Sequence, residues 1–479
     1  MFPIIDWYLI SLELLIVAAL AVLLIIDIFV PKDVRNDIIG PLSFAALFII
    51  FGFWINQHGV HGTTFGGMFV MDSLAWFFKG FFLVTMFIVF ILAQQFFKSY
   101  SGEKRNIFYL LLWLALLGMF FVASSADFLV LFIAIEILTI SLYVMTAYLK
   151  SDSHSIEAGM KYLVLGALSS GFLLYGISLL YGTTHSTRFD AIQLFANTHA
   201  MTPMVLFSLV LIFSAVGFKI AAVPFHMWVP DVYQGAPTPV TALLSVGSKA
   251  AGFVMLIRLF LSVFAAWHLQ WGAVFAVLAA VSMCYGNLVA MFQTNIKRLF
   301  GYSSIAHAGY LLMGAAAGTV LGTAAMNFYL VGYLFTNLTA FLVIILTYNF
   351  IKSDEINDYA GLVKRSSILG VTLLIALISL AGMPPLAGFF GKFALLMATV
   401  QSGYLWLALI AAVNIVISLY YYMMLAKKIY IDPPKHDSTI AVSWPMRLTL
   451  VAGIAAIVIL GLFQGPFFTA CIVAVRGIH

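Results

Sequence analysis

The stretch VGFKIAAVPFHMWVPDVYQGAPTPVTALLSVGSKAAG, Val216 to Gly252, decides how this chain is read. Lys219 lies inside an apolar run, Pro224 follows, and His226 precedes a turn punctuated by Pro and Gly. A second apolar run carries Lys249. A lysine at the centre of a membrane helix costs roughly 3 kcal/mol on insertion scales, and it turns toward a bundle interior or a water-filled cavity. Pro224 has no N–H, so the carbonyl of Ile220, four residues back, loses its helical partner. Irregular backbone at membrane depth persists only where protein or water satisfies it. A broken helix beside an intramembrane lysine therefore reads as a site on an ion or proton path.

The rest of the chain supplies the membrane. Its 479 residues are 63% hydrophobic and 9% charged, with a mean hydropathy of +1.09, whereas soluble domains carry about 25% charged residues. The expected fold is an all-α polytopic membrane protein with no hydrophilic domain inserted. The sequence pI is near 9.0, but the net charge is only +5 and no basic block exists, so nucleic acid is not an expected partner. Cys284 and Cys471 sit in apolar runs and suit neither a disulfide framework nor a metal site. The first apolar run, 7–28, is flanked by Asp6 rather than by Lys or Arg, and reads as a span instead of a cleavable signal.

At about 20 apolar residues per span, the chain holds about 14. They run 7–28, 38–56, 69–97, 106–124, 128–149, 156–181, 204–225, 239–264, 270–291, 299–317, 321–350, 367–401 (interrupted), 403–426 and 446–470. Basic residues test this count. The loops after odd-numbered spans carry Lys32, Arg35, Lys98, Lys104, Arg105, Lys150, Lys297, Arg298, Lys352, Lys364, Arg365, Lys427, Lys428, Lys435 and Arg447. The other face has Arg188 and Arg476. Lys79, Lys161, Lys219, Lys249, Arg258 and Lys392 fall inside spans, which accounts for all 23. An error of one span would scramble the asymmetry. The odd loops are therefore read as cytoplasmic and both termini as outer, with a bacterial inner membrane as the default location.

A weak internal echo points to a repeat. DFLVLFIAIE, ending at Glu136, lies over RLFGYSSIAH, ending at His307. The break at Val223-Pro224 has a counterpart in LAGMPPLAGFFGKF from Leu380, where Pro384 and Pro385 strip partners from the carbonyls of Leu380 and Ala381, and Lys392 follows. Five spans per copy place the copies in opposite orientations, as in transporters with inverted repeats. The expected organisation is a three-helix segment at 1–105, repeats at 106–264 and 265–430, and a C-terminal helix at 431–479.

Glu136, Lys161, Lys219, Lys249, His307 and Lys392 form a series of ionisable groups at membrane depth. Burial disfavours the charged form of a lysine, and a nearby carboxylate restores it. Moving a carboxylate relative to a lysine therefore switches it between holding and releasing a proton. Each pKa unit is worth about 1.4 kcal/mol, against about 2.3 kcal/mol per charge for 100 mV of membrane potential, so modest changes in pairing suffice to move protons uphill. Blander readings stand beside this one. Any single Glu–Lys pair can be structural, His226 can cap a helix break, and His307 alone reads as a satisfied interior histidine. Asp72 and Lys79, seven apart, read as a structural pair near the outer interface, and Arg258 as a snorkelling side chain. Glu157 and Asp231 read as path entrances or caps. The Phe, Tyr and Met stripes read as lipid-facing or packing residues, and Gly166 to Gly171 as close helix packing. No GxGxxG, Walker, CxxC or paired-His haem pattern appears, so redox centres and nucleotide sites are expected elsewhere.

Several motifs together resemble the antiporter-like membrane subunits of respiratory complex I, and among them the N-type. These are GFKIAAVPFHMWVPDVYQGAPTPVTALLSVGSKAA, QTNIKRLFGYSSIAHAGY, DYAGL at Asp358 and SLAGMPPLAGFFGKF. The VYQGAPTPV turn, the SxxSK arrangement ending in Lys249, and Lys at 392 where the M-type carries Glu favour the N-type, and the chain stops too soon for the long lateral helix of the L-type. The resemblance covers essentially the whole chain. It implies 14 helices with two inverted five-helix repeats, and the role of a translocase subunit in the respiratory electron-transport chain. Glu136 would respond to neighbouring subunits and Lys219 would be its partner and central proton carrier. Lys161 would sit in the cytoplasmic half-channel, His226 and Lys249 would link toward the centre, His307 would continue the axis, and Lys392 would lead to the outer exit. NADH, FMN, iron–sulfur clusters and quinone would be handled by partner subunits, with neighbouring antiporter-like and small membrane subunits alongside this chain in the lipid bilayer. Two alternatives share the pattern: a subunit of a multi-subunit Na⁺/H⁺ antiporter, and a structural membrane spacer of the same complex.

Overall fold

The computed structural model describes residues 5–100, 104–435 and 438–477, apart from the side chains of Lys32 and Asp33. The Lys32 side chain, counted above on the basic face, and both extreme termini thus lie outside the described residues. The chain divides into two compact units: Met1–Ile220 with Gly247–His268 and Val473–His479, and Ala221–Val246 with Leu269–Ile472.

The first unit begins with α1 (Ser11–Phe29) and α2 (Lys32–Asn56), then a short antiparallel hairpin, β1 (Gly62–Thr64) and β2 (Phe69–Met71). Helices α3 (Ser73–Phe96), α4 (Arg105–Ser124), α5 (Phe128–Thr146), α6 (Ser153–Thr184), α7 (Phe189–Thr198) and α8 (Pro203–Ile220) follow. Side-chain caps fix several starts: Asp72 accepts from the Ala75 N–H, Asp127 from Leu129 and Asp152 from His154. Small residues let the helices approach. A Cβ on Gly118 of α4 would fall 2.7 Å from the Leu138 backbone nitrogen of α5, and Ser208 of α8 donates to the Gly176 carbonyl of α6 at 2.7 Å. Gly166 follows the close-packing expectation, because a Cβ there would overlap the Tyr143 hydroxyl; Gly171 does not, since a Cβ there would meet no atom of a neighbouring helix within 4 Å among the described residues.

The chain then forms α9 (Val229–Gly235), α10 (Thr238–Leu243), a π-helical turn at Leu244–Ser248 and α11 (Lys249–Leu256), followed by a second π segment at Ile257–Val263. The second unit continues through α12 (His268–Ala290), α13 (Ile296–Ala317), α14 (Val320–Ile351), α15 (Leu362–Arg365), α16 (Ser367–Ala381), α17 (Ala387–Gln401), α18 (Leu405–Tyr430), α19 (Trp444–Leu462) and α20 (Gln464–Val475). Helix α13 is buried almost throughout, and α14 packs against α16 and α17.

Among the described residues, twelve helices are long and apolar enough to cross a membrane. This is a multi-pass membrane chain, and many large apolar side chains face outward, as a lipid-facing surface requires. The spans expected at 299–317 and 367–401 are not among the twelve. Ser303, Ser304 and His307 lower the apolarity of α13, and the proline break divides the other into α16 and α17, 15 residues each. The expected span 446–470 is divided at Phe463 into α19 and α20. Both predicted breaks are present: α8 stops at Ile220 before Pro224, and α16 stops at Ala381 before a left-handed Gly382 with φ +88°.

Candidate functional site

In the first unit, α5 presents Glu136, half-buried, to α6. Ser170 donates to its Oε1 at 2.5 Å. The carboxylate lines a groove of about 760 Å³ that also includes Lys104, Tyr143, Lys150, Ile156 and Met160. Lys161 lies on α6, 42% exposed, paired at 2.7 Å with Glu157 one turn away. Lys219, near the end of α8, is 4% exposed, and among the described residues its Nζ has no hydrogen-bond partner. It lies 5.5 Å from the Phe218 ring centroid. Lys249 opens α11 and is 1% exposed. Helices α8 and α11 touch closely: a Cβ on Gly252 would fall 3.1 Å from the Lys219 Cβ. This unit therefore brings Lys219 and Lys249 onto adjoining helices in its buried interior.

Two further charges emerge in the same unit. Lys79 does not pair with Asp72 as expected. Its partner is Glu13 on α1, 2.7 Å away, with both side chains at most 1% exposed. Arg258 does not snorkel. It is turned inward, where NH1 and NH2 donate to the Asp72 carboxylate at 3.0 and 2.9 Å, and Nε donates to the Ala123 carbonyl. The short Asp72 side chain caps α3 and stays beside that helix's first turn, which leaves Lys79, two turns on, to reach across to α1. Burial pushes the Asp72 carboxyl up, but the Arg258 charge and hydrogen bonds outweigh it and hold the group below the ordinary aspartate value. Glu13 was passed over because a lone Glu near the start of a span looks like a boundary residue.

In the second unit, His226 lies in the break before α9. It is buried, and its ring meets Tyr285 edge-on at 4.5 Å. Asp231 at the start of α9 pairs with Arg298 at 2.6 Å. His307 on α13 is held at both nitrogens: Nδ1 meets the Tyr329 hydroxyl at 2.5 Å and Nε2 the Tyr422 hydroxyl at 3.2 Å. Lys392 on α17 donates to the carbonyls of Leu380 and Ala381 at 2.8 and 3.0 Å. These are the two acceptors that Pro384 and Pro385 leave without helical donors, so the lysine itself completes the broken helix. Its Nζ also lies 4.7 Å from the Tyr310 ring centroid. Tyr329 and Tyr422 correct the reading of tyrosines as packing residues, because their hydroxyls are wired to the imidazole. Their apolar sequence surroundings carry no signal of that. Among the described residues, no group of three or more His, Cys, Asp or Glu could hold a metal ion.

Comparison with known proteins follows the same lines. The family described as NADH:quinone oxidoreductase/Mrp antiporter, TM, matches residues 125–418. The NADH-quinone oxidoreductase subunit N of Desulforamulus reducens is 40% identical over 442 residues, 92% of each chain. A chain of respiratory complex I from Thermus thermophilus, solved with bound aureothin, shares 30% identity and superposes with a TM-score of 0.82 over 96% of this chain and 99% of that one. A chain of the Mrp complex from Dietzia sp. reaches the same TM-score at 19% identity, which is a likeness of fold alone.

Proposed function

The chain belongs to the NADH:quinone oxidoreductase/Mrp antiporter membrane family, alongside its subunit N members, and from that premise we propose how it acts as a proton-translocating subunit of complex I. The carrying observation is Lys219, buried and, among the described residues, without a hydrogen-bond partner at its Nζ. Lys219 is the central proton carrier. Glu136, at a groove on its unit, responds to a neighbouring subunit. When its charge approaches Lys219, the ammonium is held; when it withdraws, the dry surroundings release the proton. Lys161 serves the cytoplasmic side, Lys249 and His226 link toward the centre, His307 continues the axis, and Lys392 leads to the outer exit.

Several finer assignments belong to the same reading. The segments 106–264 and 265–430 act as inverted repeats, supported by the two broken helices, with 1–105 and 431–479 flanking them. Both termini face outward from a bacterial inner membrane, supported by the basic loops. NADH, FMN, iron–sulfur clusters and quinone belong to partner subunits, and antiporter-like and small membrane subunits adjoin this chain.

Lys219→Ala and Glu136→Ala test the reading in inverted membrane vesicles, with NADH-driven quinone reduction and proton uptake recorded side by side and assembly checked on a native gel. The expected result is an assembled complex in which both activities fall about a hundredfold or more, as when a positioned proton-transfer group is lost. Normal activities in both variants would reduce the Lys/Glu series to structural residues and favour the spacer. Sodium-driven exchange without NADH would favour the antiporter alternative.

A further inference from the structure

Four side chains in the second unit join into one unbroken hydrogen-bonded line. Ser303 Oγ meets the Tyr422 hydroxyl at 2.5 Å, Tyr422 meets His307 Nε2 at 3.2 Å, and His307 Nδ1 meets the Tyr329 hydroxyl at 2.5 Å. The line draws on three helices: α13 for Ser303 and His307, α18 for Tyr422, and α14 for Tyr329. All four residues are at most 3% exposed. We infer that Tyr422 and Tyr329 are proton-relay residues on either side of His307, and that Ser303 feeds the Tyr422 end. This inference rests on the reading of His307 as a proton carrier.

The chemistry suits the parts. Each hydroxyl can donate one hydrogen bond and accept others, and neutral imidazole donates from one nitrogen and accepts at the other. One proton therefore crosses by a concerted shift. The Ser303 proton passes to the Tyr422 oxygen as a proton arrives on Ser303 from behind. The former Tyr422 proton moves to His307 Nε2, and the Nδ1 proton moves to Tyr329. The former Tyr329 proton leaves for the acceptor beyond. One proton enters, one leaves, no group stays charged, and His307 ends in its other tautomer. Rotation of the hydroxyls and a return shift reset the line.

Tyr329 packs against the helix that carries Lys392. A Cβ on Gly391, the residue before it, would fall 2.5 Å from the Tyr329 ring, so the bare glycine lets Tyr329 lie against α17. The Tyr310 ring, 4.7 Å from Lys392 Nζ, stands 6.1 Å from the His307 ring. A packing role would need the tyrosine rings and not their hydroxyls, and this is the distinction a test can use.

Tyr329→Phe, Tyr422→Phe and Ser303→Ala are introduced into the complete complex, with His307→Ala as the reference, and assembly is checked on a native gel. NADH-driven proton uptake by inverted vesicles is measured in H₂O and D₂O. Both phenylalanine variants should assemble and lose uptake by about a hundredfold or more, the range for loss of a positioned proton-transfer group being about a hundredfold to ten-thousandfold. Their residual uptake should show a larger solvent isotope effect than the parent's. Wild-type uptake and isotope effect in both, with His307→Ala inactive, would overturn the relay and leave His307 as a carrier. Wild-type uptake in His307→Ala would overturn the carrier reading and the relay with it. If the phenylalanine variants do not assemble, Ser303→Ala decides, since both His307 bonds survive in it: a raised isotope effect with reduced uptake supports the relay, and parental values overturn it.

Discussion

Lys392 combines a structural task with a chemical one, and two substitutions separate them. Its Nζ donates at 2.8 and 3.0 Å to the carbonyls of Leu380 and Ala381. Lys392→Met keeps an unbranched stem and removes the donors. A buried acceptor left unpaired costs about 1–3 kcal/mol, so losing both bonds destabilises the break by about 2–6 kcal/mol. At about 1.4 kcal/mol per tenfold, that is roughly one and a half to four powers of ten in the folding equilibrium. The methionine variant should therefore lose the assembled complex on a native gel, or inactivate at a clearly lower temperature. Lys392→Arg keeps donors and a positive charge, but a guanidinium does not release its proton at working pH. That variant should assemble like the parent and fail in NADH-driven proton uptake. A methionine variant as heat-resistant as the parent would refute the capping argument. An arginine variant that pumps at the parental rate would refute the chemical one.

Two more outcomes follow from the first unit. Breaking the Glu13–Lys79 pair, 2.7 Å long and fully buried, should cost about 3–5 kcal/mol because it strands a charge; Glu13→Gln should lower the thermal stability of the complex, and adding Lys79→Met should recover most of the loss, whereas additive losses would contradict the pairing. Asp72 is held below its ordinary value by Arg258, so its stabilisation is complete above the unfolded-state value of about 3.9 and disappears as pH falls through the lower folded-state value. Between neutral pH and about pH 3, heat stability should therefore fall more steeply in the parent than in Asp72→Asn; equal slopes would show that the pair is not linked to folding.

The large features of this fold were readable because membrane insertion writes them in composition. Span positions followed from apolar runs, and both breaks from proline chemistry at Pro224 and at Pro384–Pro385. The lysines announced themselves because a charge in hydrocarbon sequence has no cheap explanation. What stayed hidden lay in partnerships between distant segments. Glu13 meets Lys79 across 66 positions of sequence, and Tyr422 meets His307 across 115. A hydroxyl on a buried ring has the same sequence signature whether it packs or conducts. Strand β2 of the hairpin falls inside the predicted span 69–97, since Phe69, Val70 and Met71 are apolar in either conformation, and β1 lies in the connection before it. The π-helical turn before Lys249 likewise leaves no trace in periodicity over so few residues.

That hairpin has a consequence for energy conversion. Phe69 forms a β-bridge to Ser125, and the Ala126 N–H donates to the Met68 carbonyl, so the ribbon is stitched to the chain between α4 and α5. Phe69 and Met71 join Leu9, Ile10 and Ala75 in an apolar plug, and the Lys79 ammonium sits 5.0 Å from the Phe69 ring centroid and 3.5 Å from the Met71 sulfur. The ribbon thus lays apolar side chains over a buried ion pair, the packing that insulation against water requires. For a machine charging a membrane, each proton that leaks back through 100 mV wastes about 2.3 kcal/mol. Insulation of this kind sets the voltage such a chain can hold as surely as the groups that carry protons set its rate.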